Sequence, residues 1–435
     1  RAVAAPRPPP RPTLSCLPLQ VYDVSHFTPR HPGGAVILTY AGKDATDVFA
    51  AFHAGATWGL LKQFFVGDLV EADAAPAPGS LLADYRALRV QLRAAGLFKA
   101  DGAYYAWKAA STLALAATSL ALLAAASASA TPLYPAIASA LVMGLFWQQS
   151  GWLAHDFCHQ QVFSRRAAND AVALFLGNVC QGFSVAWWKA KHNQHHAAPN
   201  ELDAETKLAL DPDIDTLPLI AWSRDMLATA AGAPRAIMRH QHRYFVAVLL
   251  FARLAWAQGS AAHALALLPT KKGARAAPGS ARAAANPKTS ALAEVSTLAL
   301  HYAWTLGAAV AALGPLGGLA HILASQLFCG LLLSLVFVQS HNAMEVYSEV
   351  KDFMTAQAVS TRDVAPSRWM DWFTGGLNYQ LEHHAFPNMP RHHLGAAAGP
   401  VRALCEKHGL PYEVVSMPVG TSRVLAHLAD VAALA

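Results

Sequence analysis

Three histidine clusters are the residues of this sequence best suited to chemistry. They are His155 and His159, then His192, His195 and His196, and finally His383 and His384, which Gln380 precedes. Spacings of three and four residues place side chains on one helix face, so each cluster is expected to present its ligands in one direction. The seven clustered imidazoles are more than one metal ion can use. Because imidazole suits iron, zinc and copper alike, the pattern predicts a two-metal centre without choosing the metal.

A further ligand candidate, His341, lies beside Asn342 at the end of a long apolar segment. Ionisable residues in or beside membrane segments usually serve function rather than packing. Any single histidine here could equally be a satisfied core or interface residue. Matching helical spacing in all the clusters argues against that interpretation for the set, while the role of Asn342 stays open.

A second, separate histidine pair lies near the N-terminus. His31 begins the motif His31-Pro-Gly-Gly34, and His53 follows 22 residues later, after a segment that contains Phe49 and Phe52. A haem iron with two axial imidazoles needs histidines from opposite walls of an apolar slot, and the phenylalanines can supply such walls. The alternative is that His31 caps a turn and His53 is an ordinary surface residue. The HPGG motif together with the second histidine favours a haem site.

Four apolar segments can position the metal ligands, because each is long enough to cross a bilayer, which requires roughly 20 residues. They cover residues 105–126, 133–153, 296–313 and 316–338. Short breaks at Pro132 and at Gly314-Pro315 predict two tight helical hairpins, whose ends return to one side of the membrane. That side would carry the histidine clusters and His341. The apolar runs 171–188 and 245–268 contain polar interruptions and are predicted to form buried or interfacial helices.

Composition agrees with a membrane protein: 54% of residues are hydrophobic and only 14% are charged. The net charge of +6 comes largely from cations beside apolar runs, a pattern typical of cytoplasmic membrane flanks, so nucleic acid is not an expected partner. The five cysteines are scattered and form no C-x-x-C pair, which argues against a disulfide framework and a zinc ribbon.

The predicted organisation has five parts. Residues 1–18 are a disordered or transit-peptide remnant; residues 19–71 form a small α+β haem domain; residues 72–100 are a linker and an interfacial helix; residues 101–400 form the membrane domain; residues 401–435 face the cytosol or stroma. The first 22 residues contain no acidic residue, which is typical of transit peptides but equally of an Ala/Pro/Arg tail. Residues 271–290 are a low-complexity loop, predicted to be disordered.

These motifs resemble two known families joined in one chain. Residues 19–70, with Tyr40-Ala-Gly-Lys-Asp-Ala-Thr-Asp47, resemble a cytochrome b5 domain whose haem ligands match His31 and His53; His26 does not match and is left as a structural residue. The clusters resemble the three histidine boxes (HxxxH, HxxHH, QxxHH) of membrane fatty-acid desaturases. Glutamine at position 380 together with the haem domain is similar to the front-end subfamily. The fold expected is an α-helical multi-pass membrane protein of about four spans with an N-terminal cytochrome b5-like domain.

The resemblance implies an oxidoreductase with haem b, two irons in a di-iron centre and O2 as co-substrate. Its clustered histidines, Gln380 and His341 would be the metal ligands. It implies removal of two hydrogens from a lipid-linked acyl chain in the bilayer, giving a cis double bond and two waters. Electrons would come from NADH through a separate cytochrome b5 reductase. The fusion favours the endoplasmic reticulum, whereas the acid-free N-terminus favours a plastid membrane.

Other functions are compatible with parts of this pattern. A sphingoid-base delta-8 desaturase, an acetylenase or a fatty-acyl hydroxylase would use a similar centre and differ in product. A histidine-rich metal transporter with a haem sensor predicts ligands in mid-span, whereas these clusters lie at span ends. A pure electron-transfer module leaves the clustered histidines without a role. Regiochemistry, chain length, lipid carrier and oligomeric state are not specified by the sequence.

Overall fold

The computed structural model of the protein describes residues 14–17, 20–31, 33–53, 55–68, 77–268 and 291–435. The side chains of residues 14–17, 29 and 56 are outside this description. Most of the predicted N-terminal remnant and the predicted loop 271–290 also lie outside the described residues.

The N-terminal unit is a small sheet with short helices packed on it. Strands β1 (Leu14–Leu17), β2 (Gln20–Asp23) and β3 (Phe65–Asp68) pair antiparallel in the order β1-β2-β3. Between β2 and β3 come α1 (Thr46–Phe52), α2 (Gly55–Trp58) and three 3-10 turns, Thr28–Arg30, Gly34–Tyr40 and Gly59–Phe64. Strand β1 lies inside the stretch expected to be disordered. The backbone of residues 14–17 pairs with that of residues 20–23, so this short segment is a strand, which its composition did not indicate.

Long apolar helices form the centre of the membrane domain. After α3 (Leu81–Ala94) come α4 (Gly102–Ala128) and α5 (Leu133–Cys158), in place of the predicted spans 105–126 and 133–153. The predicted spans 296–313 and 316–338 are two arms of one helical stretch, α12 (Ala291–Ser340). Gly314 breaks it with φ of 71°, a left-handed value that a glycine adopts without strain. The arms fold back so closely that a Cβ on Gly318 would meet the backbone of Val310. In the other hairpin, the hydroxyls of Ser119 on α4 and Ser139 on α5 lie 2.9 Å apart. Both predicted hairpins are therefore present.

Two apolar stretches are bent helix pairs. Helix α6 (Arg166–Leu174) continues as a π-helix (Phe175–Gln181), and α7 (Val185–Ala197) follows after a 106° bend. After α8 (Arg224–Ala228) and α9 (Gly232–Met238), helices α10 (Gln241–Leu249) and α11 (Ala252–Ala266) meet at 65°. Within the described ranges, α4 and α12 are long and apolar enough to cross a membrane, and each bent pair counted as one span raises the number to four.

The C-terminal part covers the polar end of the bundle. It contains α13 (Phe353–Val359), α14 (Arg368–Phe373), α15 (Gln380–Ala385), a 3-10 turn (Arg391–His393), α16 (Leu394–Lys407) and α17 (Met417–Ala432). Strands β4 (Asp363–Val364) and β5 (Val414–Val415) pair in parallel. One apolar core lies between α5, the π-helix and α12, and a second joins α3, α13, α15 and α16. The histidine clusters lie between these two cores.

One buried carboxylate ties the bent pair to α12. Glu294 accepts hydrogen bonds from Asn178 Nδ2 (2.9 Å), Ser184 Oγ (2.7 Å) and the backbone N–H of Ala186 (3.1 Å). The Ser184 hydroxyl also accepts from the N–H of Trp187 at 3.1 Å and so caps α7. Burying a carboxylate is costly unless hydrogen bonds satisfy it, and here three do. The start of the helix that carries the second histidine cluster is thereby fixed.

Candidate metal centre and haem site

Eight imidazoles come together in two adjacent groups. In the first group, which we call the five-imidazole group, the ligand atoms of five histidines lie within 4.8 Å of one another: His155, His159, His192, His196 and His383. In the second, the three-imidazole group, the same holds for His195, His341 and His384. The rings of His196 and His384, one from each group, are stacked with centroids 4.1 Å apart. The structure thus brings every sequence-predicted histidine of the clusters, and His341, into one place.

The second and third clusters are divided between the groups, so the expectation that each cluster presents its ligands in one direction is wrong for them. Successive residues of an α-helix are rotated by about 100°, so neighbouring side chains point apart. His196 therefore faces the five-imidazole group while His195 faces the other, and His383 and His384 divide in the same way. The i, i+4 pairs stay together, His155 with His159 and His192 with His196. The adjacent histidines of one helix serve both groups.

Unpartnered nitrogen atoms show that the residues fit metal ions. The Nε2 atoms of His155, His159, His383 and His384 are buried and have no hydrogen-bond partner. The first three belong to the five-imidazole group and the last to the three-imidazole group. A buried polar atom without a partner is costly, and an ion bound in each group would satisfy these atoms. Burial also holds the pKa of His383 and His384 well below the usual range. Both imidazoles are therefore neutral near pH 7, which is the form that ligates metals.

Asp211 orients one member of the three-imidazole group. His195 Nδ1 lies 2.9 and 3.0 Å from the two carboxylate oxygens of Asp211, whose side chain is fully buried. The backbone N–H groups of Asn200 and Asp213 also donate to this carboxylate, each at 2.8 Å. A carboxylate on the outer nitrogen of a ligating histidine fixes its tautomer and raises its basicity. Sequence reasoning missed Asp211, because it is 16 residues from its partner and carries no spacing signal.

The other two members of this group are oriented in the same manner. His384 Nδ1 lies 2.8 Å from Gln357 Oε1, and His341 Nδ1 lies 3.0 Å from the Ser360 carbonyl. Their Nε2 atoms are left to face the group. Gln380 Nε2 lies 3.0 Å from His341 Nε2, so the glutamine borders the three-imidazole group. Helix α13 supplies Gln357, a partner that the sequence analysis did not single out.

A buried ion pair supports the first cluster. Asp156 accepts hydrogen bonds from Arg391 Nε (2.5 Å) and Nη2 (2.8 Å) and from the Tyr105 hydroxyl (2.8 Å). Its Oδ1 is also 3.3 Å from His155 Nδ1. Asp156 is 1% exposed, so the arginine is what makes its charge tolerable there. The pair joins the end of α5 to the segment after the third cluster.

His31 and His53 face each other in the N-terminal unit, with ring centroids 6.0 Å apart. Each Nδ1 lies 3.0 Å from a backbone carbonyl oxygen, that of Gly34 for His31 and that of Phe49 for His53, so both Nε2 atoms are left to bind. Burial lowers the pKa of His53 to about 4, which keeps it neutral. A Cβ on Gly33 would collide with the His31 ring at 2.8 Å, so the glycine is needed. These features fit a haem with two axial imidazoles. His26 is exposed, in agreement with its exclusion from the site.

A membrane protein with clustered buried imidazoles and a separate histidine pair for haem has the features of a haem-fused, metal-dependent oxidoreductase. Residues 130–416 match the fatty acid desaturase family, and residues 11–70 match the cytochrome b5-like heme/steroid binding domain. The chain belongs to the fatty acid desaturase family and carries a fused cytochrome b5-like domain, so haem, iron and O2 are implied. The prediction of this family and of an enzyme that acts on fatty acids is confirmed.

Similar proteins share both parts. The chain is 44% identical over 414 residues to an acyl-lipid (9-3)-desaturase of Physcomitrium patens, covering 95% of this chain and 74% of the relative. It is 34% identical to the delta(6)-fatty-acid desaturase fat-3 of Caenorhabditis elegans, covering 91% and 90% of the two chains. It is also 34% identical to a delta(8)-fatty-acid desaturase of Euglena gracilis, covering 98% and 97%. The resemblance to front-end desaturases is thereby confirmed.

Proposed function

We propose that this protein inserts a cis double bond into a polyunsaturated fatty-acyl chain of a membrane lipid, between an existing double bond and the carboxyl end. The observation that supports this most is the pair of adjacent imidazole groups, five and three, in a chain that also holds a haem-type histidine pair. A similar relative is an acyl-lipid desaturase by name, and two others are a delta(6) and a delta(8) desaturase. We therefore assign the lipid-linked acyl chain as substrate.

The residues assigned as iron ligands are those of the two groups: His155, His159, His192, His196 and His383 for one iron, and His195, His341 and His384 for the other. We also assign Gln380 to the second iron, because its amide lies 3.0 Å from His341 Nε2 and so borders this group. The haem ligands proposed are His31 and His53.

When bound, the iron pair supplies with O2 the oxidising power needed to remove hydrogen from unactivated carbons, which no side chain provides. The protein's own residues do the remaining work. Asp211 and Gln357 hold the outer nitrogens of their histidines, so the ligand rings are fixed before the substrate arrives. The buried ion pair of Asp156 and Arg391 anchors the first cluster against the third. The two apolar cores on either side exclude bulk water from the centre.

Each desaturation consumes two electrons, and the fused domain is proposed to deliver them. Joining the two units raises the effective concentration of the donor at the metal centre to roughly the millimolar range. Re-reduction of the haem then requires an external donor, for which we propose a cytochrome b5 reductase that uses NADH. We place the enzyme in the endoplasmic reticulum because of the fusion, with a plastid membrane as the alternative.

The test is to express the full chain in a host that lacks polyunsaturated acyl chains and to supply delta-9-containing dienoic and trienoic acids. Lipids are then separated by class and their double bonds located by mass spectrometry. A new cis double bond on the carboxyl side of the existing ones is expected, and it should disappear in His383→Ala and His53→Ala. A hydroxylated product, or unsaturation confined to sphingoid bases, would contradict the proposal.

Matched variants separate loss of chemistry from loss of fold. His240 and His26 are exposed histidines of the membrane domain and of the haem domain, so His240→Ala and His26→Ala should keep wild-type product levels. Non-haem iron measured on purified protein should fall in His383→Ala and stay unchanged in His53→Ala. The haem absorbance should show the reverse pattern.

A further inference from the structure

The haem-type site and the metal centre meet through one aromatic side chain. Phe52 is the last residue of α1 and directly precedes His53. Its ring centroid lies 6.1 Å from that of His196, with an interplanar angle of 85°, so the two rings meet edge to face. His196 is a member of the five-imidazole group and stacks on His384 of the other group. Phe52, the residue next to the haem-ligand candidate His53, thus contacts His196, which in turn stacks on a histidine of the other imidazole group.

Polar contacts hold the haem domain in this position. The Tyr40 hydroxyl donates to the Ala197 carbonyl at 2.9 Å, and Lys43 Nζ lies 2.9 Å from Glu201 Oε1. Both acceptors lie within five residues of His196, directly after the second cluster. On the other side, Asn388 Nδ2 donates to the Ala51 carbonyl at 2.7 Å, shortly after the third cluster. The haem domain is therefore fastened on both sides of the Phe52 contact.

The surroundings of this contact are apolar. Phe52 and Val48 pack against the core that contains Phe353 and Phe386. At the other end of α1, Asp47 is 5% exposed and accepts two hydrogen bonds from Arg86 of α3, at 2.9 and 2.7 Å. A surface ion pair adds little, but this carboxylate is buried and bound by both arms of one guanidinium group. Helix α1 is thus fixed at both ends, and a docked domain is the state that the structure favours.

We propose that Phe52 is the positioning contact of an electron route within one chain, from the haem held by His31 and His53 to the iron held by His196. Lys43–Glu201 and Tyr40–Ala197 hold this docked state. The proposal rests on the proposed function. Each passage oxidises one ferrous haem to ferric and reduces one ferric non-haem iron to ferrous. Two passages supply the two electrons of a turnover, and an external one-electron donor restores the ferrous haem.

Docking is tested first without any catalysis. A carbodiimide joins a lysine amine to a carboxylate only where the two already form an ion pair, with loss of water. Treatment of the full-length holoprotein, followed by peptide mapping, should give an amide between Lys43 and Glu201. Glu205, an exposed acid four residues on, is the internal control and should not be joined to Lys43. The cross-link should vanish in Lys43→Gln. Its absence from the wild type, while other ion pairs such as Lys407–Asp84 are joined, would overturn the docked arrangement.

The route itself is tested by single-turnover kinetics. The haem of the iron-loaded protein is reduced without oxygen and mixed with O2 and acyl substrate, and its reoxidation is followed by stopped-flow absorbance. Loss of the aromatic contact in Phe52→Leu should slow reoxidation by about tenfold or more, since a small misplacement of reacting groups is enough for that. Phe52→Tyr should restore the rate. Phe65→Leu, at an exposed phenylalanine of the same domain, should not change it.

The haem spectrum and iron content of Phe52→Leu should equal those of the wild type, so a folding defect would be visible. A Phe52→Leu rate within about twofold of the wild type would overturn the route, because the misplaced contact would then carry no cost. That result is distinguishable from failure of the proposed function. If the function fails, the wild type makes no desaturated product; if only the route fails, the wild type and Phe52→Leu make it equally well.

Discussion

The carboxylate behind His195 allows a quantitative test of how the metal centre is built. Asp211→Asn keeps the shape of the side chain and removes its charge. Each carboxylate oxygen accepts two hydrogen bonds, one from His195 Nδ1 and one from a backbone N–H, that of Asn200 or that of Asp213. An amide has only one accepting oxygen. In either orientation its NH2 group must therefore oppose a backbone N–H, either the buried one of Asn200 or the partly buried one of Asp213.

Two costs follow, and they fall on different quantities. A buried donor left without a partner lowers the free energy of unfolding of the metal-free protein by about 1–3 kcal/mol. A neutral acceptor is also weaker than a carboxylate by about 1–1.5 kcal/mol when it bonds the His195 ring. That difference corresponds to about tenfold weaker metal binding at the three-imidazole group. Losing the hydrogen-bond partner behind a ligating histidine typically weakens metal binding by about 10- to 100-fold, so this value is at the low end of that range. The five-imidazole group should keep its affinity.

The assay is chelator competition on detergent-solubilised protein, with non-haem iron counted per chain, combined with thermal unfolding of the metal-free form. Asp211→Asn should lose about one of the two proposed non-haem irons at a chelator concentration about tenfold lower than the wild type needs. Asp213→Asn is the matched control, since its carboxylate is 3.8 Å from His195 Nδ1 and its side chain is 49% exposed. Equal iron retention by Asp211→Asn and the wild type would refute the reasoning, as would equal losses in both variants.

Three further predictions concern the framework. Gly330→Ala should abolish folded, monodisperse protein, because a Cβ there would overlap a backbone carbonyl of the segment between α10 and α11. The control Gly307→Ala has nothing within 4 Å of its added Cβ and should express normally. Size-exclusion chromatography in detergent distinguishes the two outcomes. Glu294→Ala should lower the midpoint of thermal unfolding, because it leaves three buried donors without an acceptor, at about 1–3 kcal/mol each. Glu294→Gln should recover part of the loss. An unchanged midpoint in Glu294→Ala would show that water replaces the carboxylate. Arg391→Met alone should destabilise the protein by about 3–5 kcal/mol, because it leaves the buried Asp156 carboxylate without its partner. Asp156→Leu combined with Arg391→Met should restore most of the stability in the same unfolding measurement. A double variant as unstable as the single one would contradict the ion-pair explanation.

The sequence predicted well those parts of the fold that depend on local pattern. The apolar segments before and after Pro132 and Gly314 became helices close to their expected bounds. Of these helices, α4 and α12 are long and apolar enough to cross a membrane, whereas α5 is not among the helices that meet that test. The histidine clusters also came together, as their number and helical spacing predicted. That the centre holds two metals stays a prediction.

What the sequence did not indicate are contacts between distant segments. Asp211, Gln357 and Arg391 look like ordinary polar residues until folding places them behind histidines or against Asp156. The division of the histidines between the groups was also missed. That division depends on how α7 and α15 are rotated toward each other, and tertiary packing sets this rotation.

The adjacent histidine pairs His195–His196 and His383–His384 have a consequence for how substitutions around the centre act. One backbone step separates a ligand candidate of one imidazole group from a ligand candidate of the other, on α7 and again on α15. A substitution that shifts or rotates either helix therefore moves a histidine of both groups at once. A substitution behind a single ring, as at Asp211, changes only one group.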